Sequence, residues 1–242
     1  MSAWGKRFAL VGLGPLLIAQ GVFTRAVTPK LPEPAGYRDG RTGAGPVLRL
    51  LIAGDSAAAG VGVVHQRAAL SGQLVASLAP HVDLHWQLIA KSGFSTRDLL
   101  HRLKRESARP FDVAVISLGV NDVTSAVRVG TWLKQQRALA TLLAQRFGVQ
   151  RVILSSLPAM HELMALPQPL RWLLGLRSRR FNAELSRAVA DMPSCEVLPL
   201  VLPEDPGALA ADRFHPGRVT YRHWAAELAA RILQTQVRRT DA

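Results

Sequence analysis

The chain has 242 residues, 48% hydrophobic and 19% charged. That supports one sizeable α/β core or two small domains and excludes a disordered polymer. Thirty Lys and Arg against 17 Asp and Glu give a formal charge of +13, while only 6% of residues are aromatic. No basic run interleaved with aromatics occurs, so the charge reads as a solvated basic surface or attraction to a membrane, not as a nucleic-acid groove. Cys195 is the single cysteine, so no disulfide within the chain and no Cys-rich metal site can form. Its place before "EVLPLVL" suits a buried thiol.

The first predicted element is "FALVGLGPLLIAQGVF", Phe8–Phe23, without a charge and preceded by Lys6 and Arg7. As a helix it would cover about 24 Å, a little short of a hydrocarbon core of ~30 Å. Glycines and Pro15 weaken a helix of a water-soluble core, and Ala19-Gln20-Gly21 is a passable cleavage site. Residues 1–27 are therefore expected to be an anchor or signal segment, with the rest of the chain membrane-anchored or exported, on the extracytoplasmic side. Residues 28–46, rich in Pro, Gly and charge, are expected to be a linker. The folded domain is expected over 47–237, followed by a tail at 238–242.

Within that domain, five continuous apolar runs have the character of strands buried on both faces: "VLRLLIA", "VDLHWQLIA", "FDVAVISLG", "RVILSSL" and "CEVLPLV". Helical patterns lie between them, near 66–78, 96–106, 131–147 and 179–190. A closing helix over 219–236 places Tyr221, Trp224, Leu228, Ala229 and Ile232 on one face. Such alternation predicts a mostly parallel five-stranded sheet covered by helices on both sides.

Ligands of open parallel sheets bind beyond the carboxyl ends of the strands. The first run ends on Gly54-Asp55-Ser56, followed by tiny residues that leave room for a substrate or simply make a tight turn. A serine hydroxyl needs a base, and the base an orienting acid. "ADRFHPGRVT", past the fifth run, supplies Asp212 and His215. Gly93, past the second run, can offer an open backbone N–H, and Asn121, past the third, a side-chain amide; either could serve a developing oxyanion or only a turn. No zinc, phosphate-loop or dinucleotide motif is present, so no metal or cofactor is expected. Asp98 and Glu106 read as helix-surface charges. "GDSAA" lacks the last glycine of the G-x-S-x-G nucleophile elbow.

"GDS" at 54–56, Gly93 in "SGFST", "GVND" at 119–122 and "DRFHPG" at 212–217 together resemble the four blocks of the SGNH (GDSL-type) hydrolases, in the right order over about 47–236. The resemblance implies a three-layer α/β/α, flavodoxin-like fold and metal-free hydrolysis of esters, thioesters or related acyl groups. By position, Ser56 would be the nucleophile, His215 the general base and then acid, and Asp212 its orienter. The backbone N–H groups of Ser56 and Gly93 and the Asn121 side chain would form the oxyanion hole. Ala57 stands where Leu is frequent in the family. The expected substrate is a lipid or lysophospholipid ester or a thioester, with a carbohydrate O-acetyl ester as the alternative. A catalytically inactive membrane-anchored binding module is the alternative from another class.

Residues 157–180 are longer than a simple connection and apolar, broken by Pro167 and Pro169. They read as a helix packed on the core with Trp172 buried, or as a flap or lipid-facing surface over the acyl pocket. His161 within them reads as a surface or packed histidine.

Overall fold

The computed structural model describes residues 3–240 except 126 and 193, with side chains described for 12–234. Helix α1 (Ala3–Val27) leads into strand β1 (Asp39–Thr42) and then β2 (Val47–Gly54). Next come α2 (Ser56–Ala59), α3 (Leu70–Leu78), β3 (Asp83–Ala90), α4 (Thr96–Arg105), β4 (Val113–Ser117) and α5 (Val120–Thr124). The chain continues through α6 (Val129–Phe147), β5 (Arg151–Ser155), α7 (Leu170–Ala188), β6 (Cys195–Leu198) and α8 (Arg218–Thr240). The sheet order is β1-β3-β2-β4-β5-β6; β2 to β6 are parallel, and β1 is added antiparallel to β3. The expected five-stranded parallel sheet is therefore present, with a sixth strand on its edge.

Each face of the sheet is covered. Leu51 and Ala53 of β2 join a core built with α4, α6 and α7, where Trp132, Leu143 and Phe181 are buried. Leu48, Leu50 and Ile52 face the other way, against α3 and α8. The period-two alternation along β2 divides one strand between two apolar cores, as a parallel sheet between helix layers requires. The stripe expected on the closing helix is buried throughout: Tyr221, Trp224, Leu228, Ala229 and Ile232 all face the sheet.

The expected linker is instead laid along the domain. Asp39–Thr42 pairs with Leu84–Gln87, and Arg41 holds Asp83 through two hydrogen bonds of 2.9 and 2.6 Å. Upstream, the Ala35 carbonyl accepts the Gln66 N–H at 2.8 Å. The missing signal is apolar alternation: all four residues of β1 are exposed, so backbone pairing and charge, not burial, fix the strand. The expected tail also differs, because α8 continues to Thr240; residues 241–242 lie outside the described residues.

The expected anchor is helical, and one face of it is docked on the domain. Leu17 packs on the core, Thr24 is buried, and the Gln20 side chain donates to the Gln168 carbonyl at 2.6 Å while accepting the Leu170 N–H at 3.1 Å. Among the described residues no helix is long and apolar enough to cross a membrane. Residues 1–2 lie outside the description.

The 157–180 segment divides its side chains. Met160, Leu163, Leu166, Leu170 and Leu174 are buried, as the core-packed reading of this segment expects, whereas Trp172 is 50% exposed, which that reading does not expect. Helix α7 begins at Leu170, nine residues before the expected start at 179.

Candidate active site

The site stands at the carboxyl edge of β2, β3 and β4 and is completed by the loop before α8. Gly54 ends β2 in close contact with β4: a Cβ there would lie 2.0 Å from the Ser117 carbonyl oxygen, so only glycine fits. That approach lets the Asp55 N–H bond Ser117 O at 3.0 Å and turns the chain into α2. Asp55 caps the turn by accepting the Ala57 N–H on Oδ1 at 3.1 Å. Ser56 thus becomes the first residue of a short helix, with its N–H among the first-turn donors that no helical carbonyl can reach.

His215 arrives from the far end of the domain sequence. Its Nε2 lies 2.9 Å from Ser56 Oγ, and its Nδ1 lies 2.5 Å from Asp212 Oδ2. The other Asp212 oxygen accepts the backbone N–H groups of Phe214 and His215, both at 3.0 Å. This tight turn puts Arg213 at φ +55°, the one non-glycine left-handed residue among those described. The loop is fastened to 208–210 by Ala210 N–H to His215 O at 2.9 Å and Gly217 N–H to Ala208 O at 2.7 Å.

Electrostatics divides the two acids of the site. Burial alone would raise the Asp212 carboxyl, but the His215 ring and the two backbone N–H groups outweigh it and hold Asp212 below the usual carboxylate range. Asp212 is therefore an anion at neutral pH, suited to orient the ring and to balance an imidazolium. Asp55 is fully enclosed, and burial pushes its carboxyl up to about 7, against the opposing pull of the Ala57 N–H and His215.

Gly93 and Asn121 are brought to the same edge on separate loops. After β3, Lys91 N–H bonds the Gly54 carbonyl at 3.3 Å, which carries the 91–95 turn alongside the turn of Ser56. Gly93 has φ +85°, and its N–H has no acceptor among the described residues. Asn121, in α5, donates through Nδ2 to the Phe94 carbonyl at 2.9 Å, tying the two loops together. Neither residue is hydrogen-bonded to Ser56 or His215 among the described residues.

Next to Asn121, Asp122 is buried and accepts both the N–H (3.0 Å) and the hydroxyl (2.9 Å) of Thr96. Burial raises its carboxyl despite those bonds. It braces the start of α4 against α5, a role the turn-like reading of Asn-Asp did not reveal. Asp98 forms a capping box with Ser95, and Glu106 pairs with Arg102, both at the surface of α4.

Behind Ser56 lies an apolar cavity of about 50 Å³, walled by Leu118, Leu157, Leu163, Leu200, Leu202 and Phe214. Its wall is pinned by hydrogen bonds. Asn182 of α7 accepts the Leu157 N–H at 2.8 Å and donates to the Leu157 carbonyl at 2.9 Å. Ser156 Oγ accepts the Leu200 N–H at 2.9 Å, and Trp224 donates to Ser155 Oγ at 3.1 Å. Asn182 sits mid-helix and carries no local sequence signal for this contact. A wide open groove of about 1100 Å³ adjoins the cavity, sharing Leu200 and Leu202 and rimmed by Glu162, Glu204, Asp205 and Arg213.

Elsewhere, Cys195 is half-buried against the core, and burial raises its thiol. His161 lies at the surface between Arg179 and Glu162. Among the described residues no group of three or more His, Cys, Asp and Glu could hold a metal ion.

Fold and hydrogen-bond chain together define a class: the three-layer α/β/α hydrolases with a serine–histidine–aspartate relay at the sheet's carboxyl edge. Within that class the comparisons are specific. The model of the GDSL-like lipase/acylhydrolase family matches residues 52–231, and the chain belongs to that family of ester-hydrolysing enzymes. It is 27% identical, over 241 residues, to a GDSL-like esterase of Mycobacterium tuberculosis, covering 88% of this chain and 74% of that one. Among solved structures, the esterase EstA of a Pseudoalteromonas species aligns with a TM-score of 0.61 at 19% identity, over 78% of this chain and 98% of its own. An acetylxylan esterase of Geobacillus stearothermophilus aligns with a TM-score of 0.55 at 20% identity, over 77% of this chain and 94% of its own. These two likenesses are of fold.

Proposed function

We propose that this chain hydrolyses short-chain acyl esters through an acyl-enzyme on Ser56. The carrying observation is the relay Asp212–His215–Ser56, at 2.5 and 2.9 Å, opening onto an apolar cavity of only about 50 Å³. A cavity needs about 10–15 Å³ to hold a single water, so one of this size suits an acyl group of a few carbons better than a fatty chain. The alcohol part of the ester would lie in the adjoining groove.

The geometry supports the following reaction. His215 Nε2 takes the Ser56 hydroxyl proton as Oγ bonds to the carbonyl carbon. The oxygen that becomes negative is met by the N–H groups of Ser56 and Gly93 and by the second N–H of Asn121 Nδ2, whose first is held by Phe94. The imidazolium, balanced by Asp212, passes its proton to the departing alcohol oxygen. Water then repeats the sequence: His215 removes its proton, the acyl carbon–Oγ bond breaks, and Ser56 recovers its proton as the carboxylic acid leaves.

A second reading, hydrolysis of lipid or lysophospholipid esters at a membrane, has its own observation. Around the docked α1, Ile18 (71% exposed), Val22, Phe23 and Trp172 of α7 stay exposed, on a chain of charge +13. Such a surface suits a helix lying on an anionic lipid layer, with its other face on the protein. Export or membrane attachment of the chain goes with this reading, and vesicle flotation of the full chain tests it.

Rates on p-nitrophenyl esters from acetyl to palmitoyl, with Ser56→Ala and His215→Ala as controls, separate the substrates. A maximum at two to four carbons supports the short-acyl reading, and one at eight or more supports the lipid ester. No turnover with a folded protein would leave the inactive binding module.

A further inference from the structure

The Gly93 loop is held from outside the family-matched region, by a residue that the sequence places in the expected linker. Glu33 accepts the Ser92 N–H on Oε1 at 2.6 Å, and its Oε2 receives Arg38 Nη1 at 2.9 Å. Arg38 in turn donates Nη2 to the Ala90 carbonyl, and its own carbonyl accepts the Leu88 N–H at 2.6 Å. Residues 33–38 therefore grip the tip of β3 at Leu88, Ala90 and Ser92, while Lys91 is bonded to Gly54 on the β2 side.

We propose that Glu33, braced by Arg38, is a positioning residue for the oxyanion donor of Gly93. The inference rests on the reading of Ser56, Gly93 and Asn121 given above. Only the backbone torsions of Ser92 separate the peptide that Glu33 holds from the peptide that carries the Gly93 N–H. The following residues are fixed as well: Phe94 N–H closes on Lys91 O at 3.2 Å, and Phe94 O is held by Asn121. Freed from Glu33, the 91–93 turn would be tied only at Lys91 and Phe94, and the free Gly93 N–H could swing away from the oxyanion. A donor displaced by about 1 Å loses much of its effect on a transition state.

The chemistry suits a permanent clamp. Burial works to raise the Glu33 carboxyl, but the bonds from Ser92 and Arg38 hold it below its usual range, so it is an ionised acceptor at neutral pH. Both acceptor atoms are engaged, so Glu33 acts through Ser92 and not on substrate.

The test compares full-length wild type, Glu33→Ala, Glu33→Gln, Arg38→Gln and Ser56→Ala on p-nitrophenyl acetate. Rates are expressed per mole of folded protein, with Tm measured alongside. Removing an oxyanion donor costs about 10²–10³ in rate, so a loosened one should cost about tenfold or more in kcat. Glu33→Ala is expected to show that loss with KM changed less than twofold. Glu33→Gln, which keeps an oxygen for the Ser92 N–H, should recover most of it, and Arg38→Gln should lie between. Wild-type kcat in Glu33→Ala overturns the proposal, as does a loss equal in the Ala and Gln variants that follows Tm. Full activity in Ser56→Ala overturns the underlying site reading instead.

Discussion

Asp212 holds His215 twice, accepting its backbone N–H on Oδ1 at 3.0 Å and its ring Nδ1 on Oδ2 at 2.5 Å. One carboxylate thus sets both the loop that carries the histidine and the direction of its ring. In the proposed mechanism this keeps the proton on Nδ1 and leaves Nε2 to receive the proton of Ser56.

Asp212→Asn should therefore leave the loop largely in place but remove the anion and favour the wrong tautomer. A fall in kcat of ~10³–10⁴ is expected, with KM little changed. Steady-state kinetics on a short ester checks this, and a loss under tenfold would separate Asp212 from catalysis.

Asn121→Ala removes both a proposed oxyanion donor and the tie to Phe94. A loss of about 10²–10³ in kcat is expected. Asn121→Asp should fare no better, because it places a negative charge and no donor at the same point. The ratio of kcat to wild type for both variants is the measurement.

Asp55 has a signature in stability. Its folded carboxyl is raised to about 7 by burial, above its usual 3.8. Between these values the folded state binds more protons than the unfolded one, so this residue's contribution to stability falls as pH rises. Asp212 and Glu33 are held below their usual range and act the other way, with stability lost as pH falls into the acid region. The windows overlap only at their acid end, near pH 4, so Asp55→Asn, whose amide oxygen can still accept the Ala57 N–H, should flatten the decline from there up to about pH 7. Urea midpoints at pH 5 and 8 report it. An unchanged difference between the two midpoints would contradict the assignment.

Leu163 is buried and forms part of the cavity wall. Leu163→Ala is expected to move the preferred acyl chain to greater length and to cost about 2–5 kcal/mol of stability. The chain-length profile of the variant, with its denaturation midpoint, tests both.

The legible parts of the molecule were those with local pattern. Strands such as Val113–Ser117, buried at every position, come from largely apolar runs, and Ser56, Asp212 and His215 meet within hydrogen-bonding reach at the carboxyl edge of the sheet. What stayed hidden depends on distant partners. Asp39–Thr42 is exposed throughout and becomes a strand only because β3 offers an edge. Glu33 meets Ser92 59 positions away, and Asn182 meets Leu157 25 positions away; no periodicity encodes either contact. Trp172 stands among leucines, a context that favours burial, yet it lies on the outward side of α7.

A covalent intermediate on Ser56 is open to rapid-quench mass spectrometry of the full chain with p-nitrophenyl acetate. An acetyl adduct on Ser56 is predicted, formed at a rate at least equal to kcat, absent in Ser56→Ala, and persistent if deacylation is slowed. Steady turnover by wild type with no adduct, together with turnover retained in Ser56→Ala, would contradict it.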